Sequence, residues 1–135
     1  MCNALKQYGP LIGRILLAVI FIMSGYNKIG GFEQTAGYMA SKGLPMADIL
    51  LLLTIVIELG GGIMIALGLY ARWAAAIVFL FLIPVTLVFH APWSSPLAEV
   101  QMQTIQFMKN LGIMGGMLYI AAFGSGPYSL KRGDC

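Results

Sequence analysis

Four long apolar segments, separated by short polar ones, dominate the pattern along the chain. They cover about residues 11–29, 49–69, 73–90 and 104–124. Each reaches the roughly 17–25 residues that a helix needs to cross about 30 Å of hydrocarbon. Nothing alternates between apolar and polar with period two over about ten residues, which is the pattern of membrane strands. The sequence therefore predicts an all-α membrane protein, a four-transmembrane-helix bundle in a single domain over residues 1–135.

The connections between these segments are short, so neighbouring helices are expected to pack antiparallel. Residues 33–41 (EQTAGYMAS) predict a small interfacial helix, and residues 68–72 leave room only for a tight turn. Pro92 and Pro96 forbid a continuous helix between the third and fourth segments. The last residues, 126–135, are basic and are expected to be loose. The first segment also has the size of a signal peptide, but Ser24-Gly25-Tyr26 is a poor cleavage site, which favours a retained helix.

Composition supports a membrane protein, because 59% of the residues are hydrophobic and only 10% are charged. Ordinary globular domains carry about 25% charged residues, and disordered chains are less apolar. The net charge of +3 therefore indicates topology rather than a nucleic-acid partner. The side with both chain ends carries Lys6, Arg14, Arg72, Lys131 and Arg132, against Lys28, Lys42 and Lys109 on the other. This predicts a multi-pass protein of the bacterial inner membrane with both termini in the cytoplasm.

Glu58 is the most informative polar residue, because it lies about ten residues into the second segment. A carboxylate at that depth costs about 2.5–3.5 kcal/mol on insertion scales, so it is expected to face the bundle and find a partner. Arg14 and Lys109 are the best candidates for that partner. Glu58 is either a functional proton carrier or a structural anchor, and both readings stay open. Glycines at 60–62, and those at 112, 115 and 116 opposite them, would allow close approach of helices or a ligand.

The other polar residues within or beside the apolar segments form a second group. Arg14 either extends along lipid to the head groups or reaches towards Glu58. Lys28 follows it by four turns on nearly the same helix face. We expect Lys28, His90, Lys109 and Asn110 to form a polar mouth above Glu58, although a terminal histidine is as often a solvated cap. Cys2 and Cys135 lie at opposite ends, and the chain offers no Cys/His ligand cluster, so a metal site is not expected.

Four fragments in this order resemble the DoxX family of small bacterial membrane proteins: GRILLAVIFIMSGYNK, IELGGGIMIALGLYAR, a third helix ending in FH, and FMKNLGIMGGMLY. The resemblance covers about residues 11–132 and implies a four-helix fold. Some members are named for a subunit of thiosulfate:quinone oxidoreductase, and others are described as partners of soluble redox enzymes. It implies the site residues Arg14, Lys28, Glu58, His90, Lys109 and Asn110. Thiosulfate oxidation itself is not expected, because the chain has no central cysteine.

Three functions compete at this point. The first is a redox-associated subunit, an oxidoreductase subunit acting with a partner enzyme, that binds a quinone or similar amphipathic ligand with Glu58 as proton carrier. The second is a non-catalytic membrane scaffold that anchors a soluble redox partner or binds lipid. The third is a small proton-coupled transporter, for which four helices make a thin pathway unless the protein forms an oligomer.

Overall fold

The computed structural model describes residues 2–131, and five helices account for most of them. They are α1 (Cys2–Gly30), α2 (Phe32–Ser41), α3 (Ala47–Leu67), α4 (Ala71–Phe89) and α5 (Val100–Phe123). Two short 3₁₀ turns, Pro92–Ser94 and Leu97–Glu99, connect α4 to α5. The predicted interfacial helix at residues 33–41 is thereby confirmed as α2.

The long helices α1, α3, α4 and α5 form one bundle, in which α3 packs against α1 and α4, and α5 packs against α4. Its core is built from small and branched side chains, which allow the helices to approach closely. Its buried members are Ala18, Phe21, Ile65, Ala71, Ala74, Ala75, Val78, Leu82, Met117 and Ile120. The short helix α2 packs with the first half of α3 around a separate small cluster, Ala36, Met39, Leu51 and Ile55.

Three helical segments within residues 2–131 are long and apolar enough to cross a membrane. They are Cys2–Gly30, Ala47–Leu67 and Ala71–Ser94, with mean hydropathies of 1.7, 2.4 and 2.4. The helix α5 has 24 residues but is not among them. Its polar side chains lower its hydropathy: Gln101, Gln103, Gln106, Lys109 and Asn110. The fold is therefore all-helical with three clear candidate spans.

The helix bounds differ from the expected ones mainly at the start of α1, which begins at Cys2 rather than near residue 11. Pro10 lies inside this helix without ending it. The helix α3 stops at Leu67 because Gly68 adopts the left-handed conformation, with φ of 69°, that typically terminates a helix. The remaining bounds fall within a few residues of those predicted.

The tail is held in place as far as Lys131, contrary to the expectation that it is loose. The backbone N–H of Leu130 donates to Leu67 O at 3.1 Å, and that of Lys131 donates to Gly68 O at 3.2 Å. Tyr70 N–H donates back to Lys131 O at 2.7 Å. These bonds satisfy groups that the end of α3 and its turn leave without helical partners. Residues 132–135 of the predicted loose tail lie outside the described residues.

Close helix approach depends on some of the predicted glycines and not on others. A Cβ on Gly62 would lie 2.9 Å from Ile22 Cγ1 and 3.3 Å from the backbone of α1. Gly116 faces Leu17 of α1 instead of the glycines of α3, and Gly112 and Gly115 have no neighbour within 4 Å of a Cβ. The expectation of a glycine seam between the second and fourth segments was therefore wrong. The close contact is between α3 and α1.

Candidate functional site

Glu58 faces the interior of the bundle, as predicted, with 6% of its surface exposed. It lies in a turn of π-helix, Val56–Gly60, inside α3. Such a turn inserts an extra residue into the helical repeat and is frequently found at functional sites. Within α3, the π-helical turn therefore sets the direction of this carboxylate.

The ionic partner of Glu58 is Lys28 of α1, whose Nζ lies 2.8 Å from Glu58 Oε1. The expectation that Arg14 or Lys109 would be that partner was wrong. The reason is the close packing of α1 against α3, where a Cβ on Gly25 would lie 3.2 Å from the backbone nitrogen of Leu59. Lys28 comes one turn after Gly25 and is thereby brought beside Glu58.

One oxygen of this ion pair remains without a hydrogen bond. Although 2.8 Å is short enough for one, Lys28 and Glu58 do not meet at a hydrogen-bonding angle. Lys28 Nζ donates instead to Ser24 Oγ at 2.6 Å. Glu58 Oε1 therefore has no hydrogen-bond donor among the described residues, and it is free to accept one.

A cavity of about 340 Å³ opens beside this pair. Its walls are largely apolar, with aromatic and aliphatic side chains such as Phe21, Phe81 and Val85. Its polar lining residues come from α1, α2, α3, α5 and the end of α4: Ser24, Lys28, Thr35, Thr54, Glu58, His90, Gln106, Lys109 and Asn110. A cavity of this size and mixed lining is typical of small-molecule sites.

Five of the six predicted site residues meet at this cavity: Lys28, Glu58, His90, Lys109 and Asn110. Asn110 is buried and donates from Nδ2 to Thr86 Oγ1 of α4 at 3.1 Å. Lys109 is exposed and carries a charge at the cavity wall. Since His90 is counted as neutral, Lys28, Lys109 and Glu58 leave the cavity with one net positive charge.

His90 is tied to α5 through its side chain, because its Nδ1 lies 2.9 Å from Gln103 Oε1. With the amide placed in this way, Gln103 Oε1 can only accept, so Nδ1 carries the proton. The neutral ring then presents Nε2 as an acceptor rather than a donor. His90 is half-buried and is not a freely solvated helix cap.

Arg14, the sixth predicted residue, does not belong to the cavity. It is 2% exposed and neither extends to the surface nor reaches Glu58. Its guanidinium donates to five backbone carbonyls, two in the last turn of α3 and three in the tail: Ile65, Ala66, Ser125, Pro127 and Tyr128. The last carbonyls of a helix have no intrahelical donor, and a cation is favoured there. These acceptors hold Arg14 at the opposite end of the bundle.

Sequence reasoning missed several polar residues of this site, although a signal for them was present. Four lie exactly one turn before a predicted residue on the same helix: Ser24 before Lys28, Thr54 before Glu58, Thr86 before His90 and Gln106 before Asn110. Residues four apart share a helix face. Thr35 of α2 carried no such signal, because it reaches the cavity from the connecting segment.

A shallower groove of about 520 Å³ adjoins the cavity between α1 and α2. It shares four lining residues with the cavity: Ile20, Ser24, Lys28 and Thr35. Met23, an exposed residue of α1, completes its outer edge together with Asn27. The cavity can therefore be approached from the side of the bundle.

The DoxX family model matches residues 9–91. The chain belongs to the DoxX family. The matched range contains the ion pair of Lys28 and Glu58 as well as His90, whereas Lys109 and Asn110 lie beyond it.

Relatives of this DoxX-family chain include two proteins of Escherichia coli (strain K12). It is 36% identical to "Inner membrane protein YqjF" over 95% of this chain and 93% of that protein. It is 35% identical to "Inner membrane protein YphA", over 90% and 87% of the two chains. It is also 32% identical to "Putative oxidoreductase CatD" of Bacillus subtilis (strain 168), over 60% and 59%. No solved structure matches the chain significantly.

Within residues 2–131, His, Cys, Asp and Glu side chains form no group of three or more that could hold a metal ion. Cys2 is exposed and unpaired in the described part of the chain. Cys135 lies outside it. The chemistry that the described site offers is therefore an ion pair, hydrogen-bonding side chains and an apolar wall.

Proposed function

We propose that this DoxX-family chain is an integral inner-membrane subunit of a redox system and binds a quinone or similar amphipathic ligand in the cavity beside Glu58. The observation that carries the proposal is the convergence of charged and amide side chains from several helices on one largely apolar cavity. Quinone head groups are flat and apolar with carbonyl oxygens at their rim. Aromatic walls with a few hydrogen-bonding groups suit such a molecule.

Each side chain has a distinct part in this proposal. Lys109 donates to a ligand oxygen at the cavity wall, and Asn110, held by Thr86, shapes the wall beside it. Glu58 is the proton carrier, because its Oε1 faces no other donor and Lys28 balances its charge. The hydrocarbon tail of the ligand leaves through the groove between α1 and α2, where Met23 is exposed.

Electrons would come from a partner, because quinone reduction takes up two electrons and two protons. The described side chains can move protons but form no electron-transfer centre of their own. We therefore expect an oxidoreductase subunit that acts with a soluble redox enzyme. The name of the relative "Putative oxidoreductase CatD" supports a redox context, and the names of the two Escherichia coli relatives support an inner-membrane location.

Ligand binding to purified protein tests the proposal. We expect a short-chain quinone to bind the wild type, and Lys109→Ala to weaken binding by about tenfold, the loss of one charge-assisted hydrogen bond. His90→Ala should weaken binding less, since His90 acts through Gln103. Lys6→Ala, which removes a charge from an exposed residue of α1 outside the cavity, is the matched control. Equal affinity in all variants, or no binding, would contradict the proposal.

The lipid extract of the protein decides between this function and the scaffold alternative. Co-purified quinone supports the redox subunit, and phospholipid alone supports a scaffold that binds lipid. The transporter alternative receives less support, because Arg14 and the tail close the bundle end opposite the cavity.

We also propose that α5 is a fourth span and that both termini are cytoplasmic. Its amide side chains Gln106 and Asn110 line the cavity, so they need not contact lipid despite the lower hydropathy of the helix. The excess of basic residues on the side of the chain ends supports the orientation. Reporters fused after Ser41 and after Ser95 should both report the outer side. A cytoplasmic signal at either position would overturn this topology.

A further inference from the structure

The unpartnered oxygen of Glu58 restricts the chemistry of the ligand. Glu58 is 6% exposed, and its Oε1 lines a cavity without receiving a hydrogen bond from the described residues. A buried charged group without all its hydrogen bonds carries a substantial free-energy cost. A ligand that donates a hydrogen bond to this oxygen would remove that cost, whereas a ligand with acceptors alone would not.

The second group with a defined hydrogen-bonding role points the same way. Because Gln103 Oε1 takes the proton on His90 Nδ1, the neutral ring of His90 has only an acceptor left. The ionised carboxylate of Glu58 also only accepts. Two acceptors thus line the cavity opposite the donors of Lys28 and Lys109.

A quinone and its quinol differ in this property. Both oxygens of a quinone are acceptors, so one placed at Glu58 Oε1 would set oxygen against oxygen. A quinol hydroxyl donates one hydrogen bond and still accepts from an ammonium. The quinol therefore satisfies both kinds of group around the cavity, and the quinone satisfies only the lysines.

We infer that the site selects the reduced, hydroxyl-bearing form of its ligand, whose hydroxyl donates to Glu58 Oε1. This inference rests on the proposed function and specifies which redox form binds. It concerns binding alone and requires no electron transfer.

Three matched probes test it: trimethylhydroquinone, trimethylbenzoquinone and the dimethyl ether of the hydroquinone. Their binding to the protein in lipid nanodiscs is measured by anaerobic equilibrium dialysis, with empty nanodiscs subtracted to remove partitioning into lipid. We expect the hydroquinone to bind about tenfold more tightly than the other two, the effect of one hydrogen bond to a charged group. The dimethyl ether separates loss of the hydroxyl protons from any change of redox state during the experiment.

Two variants assign the preference to the carboxylate. Glu58→Gln keeps the shape of the side chain but adds an amide donor, so the ratio between hydroquinone and quinone should fall to near one. Glu99→Gln removes an exposed carboxylate outside the cavity and should leave the ratio unchanged. A full preference retained by Glu58→Gln would overturn the role of Glu58.

The wild type alone already distinguishes the two levels of the argument, whatever the variants do. Equal affinity for hydroquinone and quinone would overturn the selectivity and leave quinone binding in place. No binding of any of the three probes would overturn the proposed function as well.

Discussion

The two ends of the bundle treat a buried cation in different ways. At one end, which we call the arginine end, Arg14 donates to five carbonyls of α3 and the tail. At the other, the lysine end, Lys28 meets Glu58 and Ser24, and one carboxylate oxygen stays without a hydrogen bond. The arginine end is closed by the tail, and the lysine end holds a cavity.

This difference shows how the choice of cation and of partner separates structure from function. A guanidinium has five N–H donors in a rigid plane, and at Arg14 they are directed at acceptors of the chain itself. An ammonium on a flexible stem adjusts to what is present. Arg14 therefore stabilises the fold, whereas Lys28 and Glu58 retain the capacity to bind something else.

The two halves of α3 repeat the contrast. The half at the arginine end is regular α-helix that ends at Gly68 and has its last carbonyls covered by Arg14. The half at the lysine end passes into the π-helical turn that carries Glu58. Irregular helix is less favourable than regular helix and persists where the surroundings require it.

Breaking the arginine end should give the largest effect on stability. Arg14→Met leaves several buried carbonyls without a donor, each worth about 1–3 kcal/mol, so we expect the free energy of unfolding to fall by at least about 3 kcal/mol. Arg14→Lys should lose roughly half as much, because its three donors cannot reach all of them. Unfolding in mixed detergent micelles measures both.

Arg72 is the matched control for this experiment. It donates to Ala121 O at 2.9 Å and to Ala122 O at 3.1 Å at the end of α5, but its bonds lie nearer the surface. Arg72→Met should cost less than Arg14→Met. If Arg14→Met were as stable as the wild type, the arginine end would not depend on its guanidinium.

Breaking the ion pair of the lysine end should have a smaller effect. Glu58→Leu leaves the partly exposed ammonium of Lys28 without its counter-charge, and we expect a loss of about 1–2 kcal/mol. Glu58→Gln should be milder, because its amide still bonds to polar neighbours. The double variant Lys28→Met with Glu58→Leu should recover part of the loss, since it removes both charges. Equal losses in Glu58→Gln and Glu58→Leu would show that polarity at this position is unimportant.

The contact between α1 and α3 sharpens the comparison at the smallest scale. Gly62→Ala places a Cβ 2.9 Å from Ile22 Cγ1 and 3.3 Å from backbone atoms, and we expect a loss of about 1 kcal/mol from overpacking. Gly112→Ala has nothing within 4 Å and should keep or slightly raise stability. Thermal unfolding midpoints of the two variants give the comparison. A loss in Gly112→Ala equal to that in Gly62→Ala would contradict the assignment of the close contact.

Much of the site was predictable from residue type and helical spacing. Lys28, Glu58, His90, Lys109 and Asn110 are polar residues in or beside apolar segments, where an unpartnered polar group is costly, so they had to gather inside the bundle. Arg14 followed the same rule, but its partners are backbone carbonyls, which no residue type announces. Its role was therefore not readable from the sequence.

The sequence by itself determined that the chain forms long apolar helices, that α2 exists between the first two, and that Glu58 turns inward. These properties depend on local composition and on the cost of placing a charge in an apolar environment. Only the tertiary structure decided that Glu58 pairs with Lys28 and leaves one oxygen free. That outcome depends on the close approach at Gly25 and Leu59 and on the π-helical turn, in which one extra residue re-aims a side chain by about 100°. Such rotations follow from how whole helices pack, and the pattern along a single helix does not contain them.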